Sequence, residues 1–360
     1  MNRTSRWVAL LGVFACLALS GCIPNVVWLP DSSGFVFTES GPAQPNQEQP
    51  LRLVKYDIAK KQRDIIVDNL KKSFTTWPAI NPAGTEIAVA SVTWKGDQAK
   101  LQVTIYDTAG KELRVSPEYD WVEKKKEGDN DGWPTLVFWG SPEKVLVVPY
   151  HTDMPSITGI IDLRSKELVK VKDRSPLFYP GNIPCRPDGK GFLAMGDRYA
   201  GLFFIDWDGK ETKFDVKEGA IEGPNNQIVD FRWNGNKAII IGNNESFSAD
   251  TDSGKVSKLE QKPLQDPGKE GEKLSNRLMF AGDRLEFRSF ERMQPHRSNT
   301  NRLEIRDQKS GKVRVQVDDQ PECFVFPSPD RKWLAVRTQS KILLINDQGE
   351  IAAEVEATLK

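Results

Sequence analysis

A short phrase returns seven times along this chain, and a repeat of that length leaves few folds open. The phrase is an apolar run, a turn built from Pro, Asp or Asn with Gly or Ser, and a second apolar run. Copies stand at 26–37 (Val-Val-Trp-Leu-Pro-Asp-Ser-Ser-Gly-Phe-Val-Phe), 78–89, 136–147, 183–194, 231–240, 278–287 and 324–336; those at 136–147 and 278–287 are degraded. Each copy is followed by a second marker, an alternating apolar run that ends in Asp57, Asp107, Asp162, Asp206, Asp250, Asp307 or Asn346. These markers lie about 40–57 residues apart, which brackets the period of about 40–50 residues that propeller blades show.

The chemistry of the phrase says what one copy builds. Pro fixes φ and lacks a ladder donor, so it belongs at strand ends. Asp-Gly and Asn-Gly supply tight hairpin turns. Short alternating runs of β-branched and aromatic residues fit a half-buried pleated surface. Each repeat therefore predicts four short antiparallel strands; in the last they fall at about 322–327, 333–338, 341–346 and 350–356. Such a sheet cannot bury both faces alone, and radial closure of the set buries face against face. The expected fold class is all-β, a seven-bladed β-propeller of four-stranded antiparallel blades, with six or eight blades left open by the two degraded copies. In this register the chain starts on an innermost strand and ends on an outermost one. Closure then rests on packing between blades 1 and 7, although a one-strand shift would give a strand exchange instead.

The pattern resembles the TolB-type, or PD40 (WD40-like), propeller family over nearly all of 26–360. Its best motifs are Trp28–Gly34, Pro184–Gly189 and Pro327–Leu334. TolB itself carries an α/β domain before the propeller. Nothing in this chain corresponds to it, so the partners of that protein are not carried over.

The amino terminus has its own pattern. Arg3 and Arg6 precede an uninterrupted apolar stretch from Trp7 to Leu19, and Leu19-Ser20-Gly21-Cys22 follows. That is a charged region and an apolar region of signal-peptide length, too short for a spanning helix of about 20 residues. The tetrad resembles the lipobox of bacterial lipoproteins. The resemblance implies diacylglyceryl transfer to Cys22, cleavage before it and acylation of the new amino group. The expected organisation is a signal peptide at 1–21, a lipidated tether at 22–25 and the propeller at 26–360. Ile23, where Asp would signal inner-membrane retention, favours the outer membrane of a two-membrane envelope. Cys22 is thus the expected lipid attachment site, and the membrane, through its lipid, a partner; the alternatives are an ordinary secretory signal that happens to contain Cys22 and an uncleaved signal anchor.

Composition narrows the function. The chain has 50 basic and 50 acidic residues, and removing Arg3 and Arg6 with the leader leaves a near-neutral body. A nucleic-acid binder would show a basic excess, so none is expected. Two histidines, His151 and His296, are few for zinc or imidazole catalysis. Beyond the leader and anchor only Cys185 and Cys323 remain, in blades that are not neighbours, which predicts separate buried thiols. No Gly-x-Ser-x-Gly, His-Glu-x-x-His or Cys-x-x-Cys occurs. No catalytic residue, metal ligand or cofactor is expected. Asp129-Asn130-Asp131-Gly132 looks like the start of a calcium loop but lacks its later Glu.

The loop 117–134 carries Tyr119, Trp121 and Trp133 beside mixed charge, a candidate contact surface for a partner; the alternative is packed aromatics beside a solvated charge run. The segment Arg288–Arg302, with several Arg beside Glu291 and His296, reads as an exposed blade hairpin, with anion binding as the alternative. The leading expectation is a monomeric, lipid-anchored, non-catalytic binding or scaffold protein of the bacterial cell envelope, with an envelope protein or polysaccharide as ligand. The alternatives are a propeller hydrolase or lyase acting on glycans, which would cluster acids at a channel mouth, and a purely structural envelope component.

Overall fold

The computed structural model describes residues 26–42, 50–70, 76–123, 135–149, 157–177, 183–196, 201–216, 228–242, 244–260, 269, 272–292, 300–320, 324–338 and 340–357. Cys22, Trp133, Cys323, His151, His296 and the Asp129–Gly132 run lie outside these residues.

Seven antiparallel sheets follow one another along the chain, each running from an innermost to an outermost strand in sequence order. The seven-bladed propeller expected from the repeat is the fold, and both degraded copies are blades. Blade 7 has strands Phe324–Pro327, Leu334–Arg337, Lys341–Ile345 and Ile351–Glu356, within two residues of the sequence-based bounds. Blade 1 supplies its own four strands, beginning at Val26–Trp28. Among the described residues the ring therefore closes by packing, with no exchanged strand. Thr76–Trp77, just before the innermost strand of blade 2, pairs in parallel with blade 3, and Tyr119–Glu123 adds to blade 2. Blade 4 departs from the phrase. Its innermost strand forms at Arg174–Pro176, upstream of the repeat, while Cys185 makes only an isolated bridge to Phe192.

The Asp or Asn markers have a physical role in all seven blades. Each side chain accepts hydrogen bonds from backbone N–H groups two to four residues on, closing the turn to the outermost strand. The pairs include Asp57 with Lys60, Asp107 with Ala109 and Lys111, Asp162 with Arg164, and Asp206 with Asp208. Asp250 with Asp252, Asp307 with Ser310, and Asn346 with Gln348 and Glu350 complete the set. Backbone donors stabilise the ionised carboxylate, and those of Ser310 help to hold Asp307 down to about 2. The turn also needs a left-handed residue. Gly110 supplies it in blade 2 with φ +86°, and a Cβ there would lie 1.7 Å from the carbonyl oxygen of Ile66 in blade 1.

Six of the seven blade-to-blade interfaces are apolar. Phe35, Phe37, Phe326, Ile342 and Leu344 join blades 1 and 7, and Phe280, Phe287, Leu334 and Leu343 join blades 6 and 7. Similar clusters link 1 with 2, 2 with 3, 3 with 4, and 4 with 5. Between blades 5 and 6 no such cluster occurs among the described residues. The face of blade 6 turned from blade 7 carries Arg277, Glu286, Arg288, Arg302, Glu304 and Arg306. Glu286 is fully buried and pairs with Arg277 and Arg288; Arg302 pairs with Glu304 and Glu272. Of the segment Arg288–Arg302 expected as an exposed hairpin, Arg288 and Arg302 at its two ends are buried, 9% and 5% exposed, Arg292 is exposed, and 293–299 lie outside the described residues. The charges of Arg288 and Arg302 are tolerated because each has a carboxylate partner.

Candidate functional site

The turn between the first and second strands falls on the same face of the ring in every blade. On that face the innermost strands frame a cavity of about 480 Å³ at the mouth of the central channel. Its wall is set by the repeat. The residue ending the first apolar run is Trp28 in blade 1, Ile80 in blade 2, Trp139 in blade 3, Cys185 in blade 4, Trp233 in blade 5 and Phe326 in blade 7, and all six line the cavity. Trp77 and Phe138 fill the gaps between them.

Two of these indoles also fasten neighbouring blades. Trp28 Nε1 donates to the carbonyl oxygen of Phe326 at 2.9 Å, and Trp233 Nε1 to that of Ile183 at 3.1 Å. Trp139 Nε1 is buried without a hydrogen-bond partner.

The rim is unusual in being exposed and apolar. Pro30, Pro82, Pro187 and Pro329 occupy matching turn positions in blades 1, 2, 4 and 7, and all four are exposed and border the cavity. Ile183 stands beside them at 50% exposure. Proline rings hold a fixed shape and lose little freedom when covered. The prolines were legible in the sequence only as turn residues; that they form one rim follows from ring closure.

Three arginines complete the lining, each with acidic company. Arg186 is buried and donates from Nε and Nη2 to Asp188 at 2.8 and 2.6 Å and from Nη1 to Thr251 at 2.6 Å and to Asp252. Burial opposes its charge, yet the bonds to Asp188 and Asp252 outweigh that and hold its pKa above the usual value. Arg331 Nη1 donates to the carbonyl oxygen of Met279 at 2.7 Å and lies 3.6 Å from Asp230. Arg232 pairs with Asp283 at 3.4 Å. The mouth is therefore apolar with compensated charge rather than a cationic well. The described residues that line it include no carboxylate and no histidine; the acids beside it, Asp188, Asp252, Asp230 and Asp283, are paired with the lining arginines. Cys185 is buried, and burial pushes its thiol pKa far up, which makes it inert as a nucleophile.

The aromatic loop residues fall elsewhere. Trp121 is 2% exposed and packs in the core between blades 2 and 3. Tyr119 is half-buried beside it, and its hydroxyl donates to the carbonyl oxygen of Lys166 in blade 3 at 3.0 Å. Both tie two blades together at the outer edge, away from the channel.

No family model and no curated protein matches the chain. In fold it is similar to a "putative 6-phosphogluconolactonase" from Bacteroides fragilis, with TM-score 0.51 and 13% identity over 91% of this chain and 96% of that one. A second protein of that description, from Bacteroides uniformis, gives TM-score 0.51 and 12% identity over 91% and 98%. A protein from Lactobacillus plantarum gives 0.50 and 11% over 91% and 97%. At such identities the likeness establishes the shared propeller fold.

Proposed function

We propose that this protein is a lipid-anchored binding protein of a bacterial cell envelope, and that its ligand site is the proline-rimmed channel mouth. The observation that carries the reading is the exposed apolar rim of Pro30, Pro82, Pro187, Pro329 and Ile183 around an aromatic cavity. Exposed apolar surface of this kind marks interaction sites, and rigid aromatic and prolyl walls take up apolar side chains at low entropic cost. The fitting ligand is an apolar segment of an envelope protein. A polysaccharide would call for convergent polar groups, whereas the arginines here are already engaged by Asp188, Asp252, Asp230 and Asp283.

The anchor rests on Arg3, Arg6, the apolar stretch 7–19 and Cys22. Hydrolysis of a lactone or a glycan, the alternative to which the names of the fold neighbours point, needs a general base or acid. The carboxylates beside the described mouth, Asp188, Asp252, Asp230 and Asp283, are each paired with a lining arginine, and this favours binding over catalysis.

The test is cross-linking in intact envelopes followed by recovery of the full-length protein. The wild type is expected to bring down a defined partner, and Ile183→Asp combined with Pro329→Ser to recover at least tenfold less while melting at the wild-type temperature. Equal recovery by the variant, or turnover of a lactone or glycan panel by the purified protein, would overturn the binding site. Cys22→Ala is expected to move the protein from the membrane to the soluble fraction, and its retention on membranes would overturn the anchor.

A further inference from the structure

The innermost strand of blade 1 begins at Val26, four residues after Cys22, and its direction is the basis for placing the anchor. Val26 opens the innermost strand of blade 1 and pairs with Phe37. Trp28 ends that strand beside the Pro30 turn, on the face that carries the mouth cavity. The strand thus runs toward the mouth from the side of the opposite face, close to the channel axis.

The tether from Cys22 to Val26 has a short reach. Four residues span about 14 Å when fully extended. The second strand of blade 1 continues past Phe37 to Ser40, a rise of about 10 Å at 3.3 Å per residue. That rise is most of the reach that four residues can have. Blade 2 stands higher still. Its second and third strands run to Lys95 and Gln98, which pair at the hairpin tip. By the repeat alignment the position matching Val26 is Pro78, and the strand beside it runs on from about Val89 to Lys95, a rise of about 20 Å. That exceeds what the tether can span.

Building on the lipid-anchor reading, the geometry points to a bilayer-docked face: the propeller lies with the Ser40, Lys95 and Gln98 end of its blades on the lipid headgroups, and its proline-rimmed mouth turned away. Among the described residues the blade 2 hairpin tip at Lys95–Gln98 reaches furthest on this face, with Lys95 and Asp97 exposed there. The partner of the mouth then approaches from the aqueous side, and lipid covers the other face.

The experiment uses the lipidated full-length chain in vesicles, carrying Cys323→Ser and one added cysteine labelled with a fluorophore, with a quencher borne on the lipid. Asp97→Cys reports the hairpin tip of blade 2, and Ala83→Cys the turn at the other end of the same blade; both sites are exposed. Quenching at 97 is expected to exceed that at 83 at least threefold. A second pair in blade 7, Ser340→Cys against Lys332→Cys, is expected to show the same order and covers the case in which a blade 2 variant fails to fold. Equal quenching at the two ends, or stronger quenching at 83 and 332, in protein that co-floats with the vesicles overturns the orientation and leaves the anchor standing. Protein that fails to float with vesicles overturns the anchor, and the orientation with it.

Discussion

The indole Nε1 of Trp28 donates a 2.9 Å hydrogen bond to the carbonyl oxygen of Phe326, joining the innermost strands of blades 1 and 7 across 298 positions of sequence. Among the described residues no strand crosses this closure, so the bond and the apolar cluster around it, with the contacts of Asp330 to Ser32 and Arg337 to Thr38, hold the two ends of the ring. Trp28→Phe keeps most of the ring surface but leaves a buried carbonyl without its donor, which costs about 1–3 kcal/mol. Trp139→Phe loses the same ring volume but removes a buried N–H that has no partner, so it is expected to cost less than Trp28→Phe. Urea unfolding of the two variants checks the contrast, and similar losses in both would remove Trp28 from any role in closure.

Much of the fold was legible because the turn markers act locally. Asp57 and its six counterparts close turns through their own side chains, so their spacing reports the blades without any tertiary information. The polar interface was hidden for the converse reason. Leu-Glu-Phe-Arg-Ser-Phe-Glu-Arg at 285–292 alternates as a half-exposed strand does, and nothing local says that blade 5 covers the polar side. Trp121 shows the same limit: an aromatic beside charges reads alike whether it faces water or the core. The candidate mouth was illegible since Pro30, Pro82, Pro187 and Pro329 become neighbours only once the ring closes.

The blade 5–6 interface gives the protein an acid-sensitive seam. The hydrogen bond from Arg302, with help from the Lys269 amide and Arg292, lowers the pKa of Glu272 from 4.5 to about 2 against the opposing effect of burial. A carboxylate depressed in the folded state binds fewer protons there than in the unfolded chain. Its contribution is therefore complete above about pH 4.5 and fades as pH falls toward 2. The melting temperature is expected to drop through that window, and Glu272→Gln to flatten the drop at the cost of a lower plateau at neutral pH. A wild-type profile that stays level from pH 5 to 2.5 would count against the seam.

Gly140 holds a close approach rather than a turn. A Cβ built on it would lie 1.8 Å from Cη2 of Trp207 in blade 4, whose Nε1 donates to the carbonyl oxygen of Gly189 at 2.6 Å. Gly140→Ala must displace that indole, and overpacking of this kind costs about 1–3 kcal/mol. Trp207→Leu clears the space at its own cost. The double variant is expected to be less destabilised than the sum of the single ones by about 1 kcal/mol, within the range for residues in contact. Simple additivity in a double-mutant cycle would show that the two residues do not compete for the same space.

Arg337 is the reverse case, a charge that the fold carries at a loss. It is fully buried between blades 7 and 1, with its Cζ 5.3 Å from the centre of the Phe37 ring. Its Nε and Nη1 have no hydrogen-bond partner, and Nη2 reaches the carbonyl oxygen of Thr38 only at 3.4 Å. Burial lowers its pKa to about 10, with Glu39 working the other way. A base depressed in the folded state is penalised while it stays charged, so the penalty is full below about pH 10 and fades as pH rises toward 12.5. Arg337→Met keeps the volume and removes the charge. By analogy with other buried charges replaced by apolar side chains, it is expected to stabilise the protein by about 1–4 kcal/mol at pH 7. The readout is the melting temperature of the two proteins at pH 7 and pH 10.5, with the gap narrowing at the higher pH. A variant less stable than the wild type at pH 7 would mean that the guanidinium supports blades 7 and 1 through its contacts with Phe37 and Thr38 more than its desolvation costs.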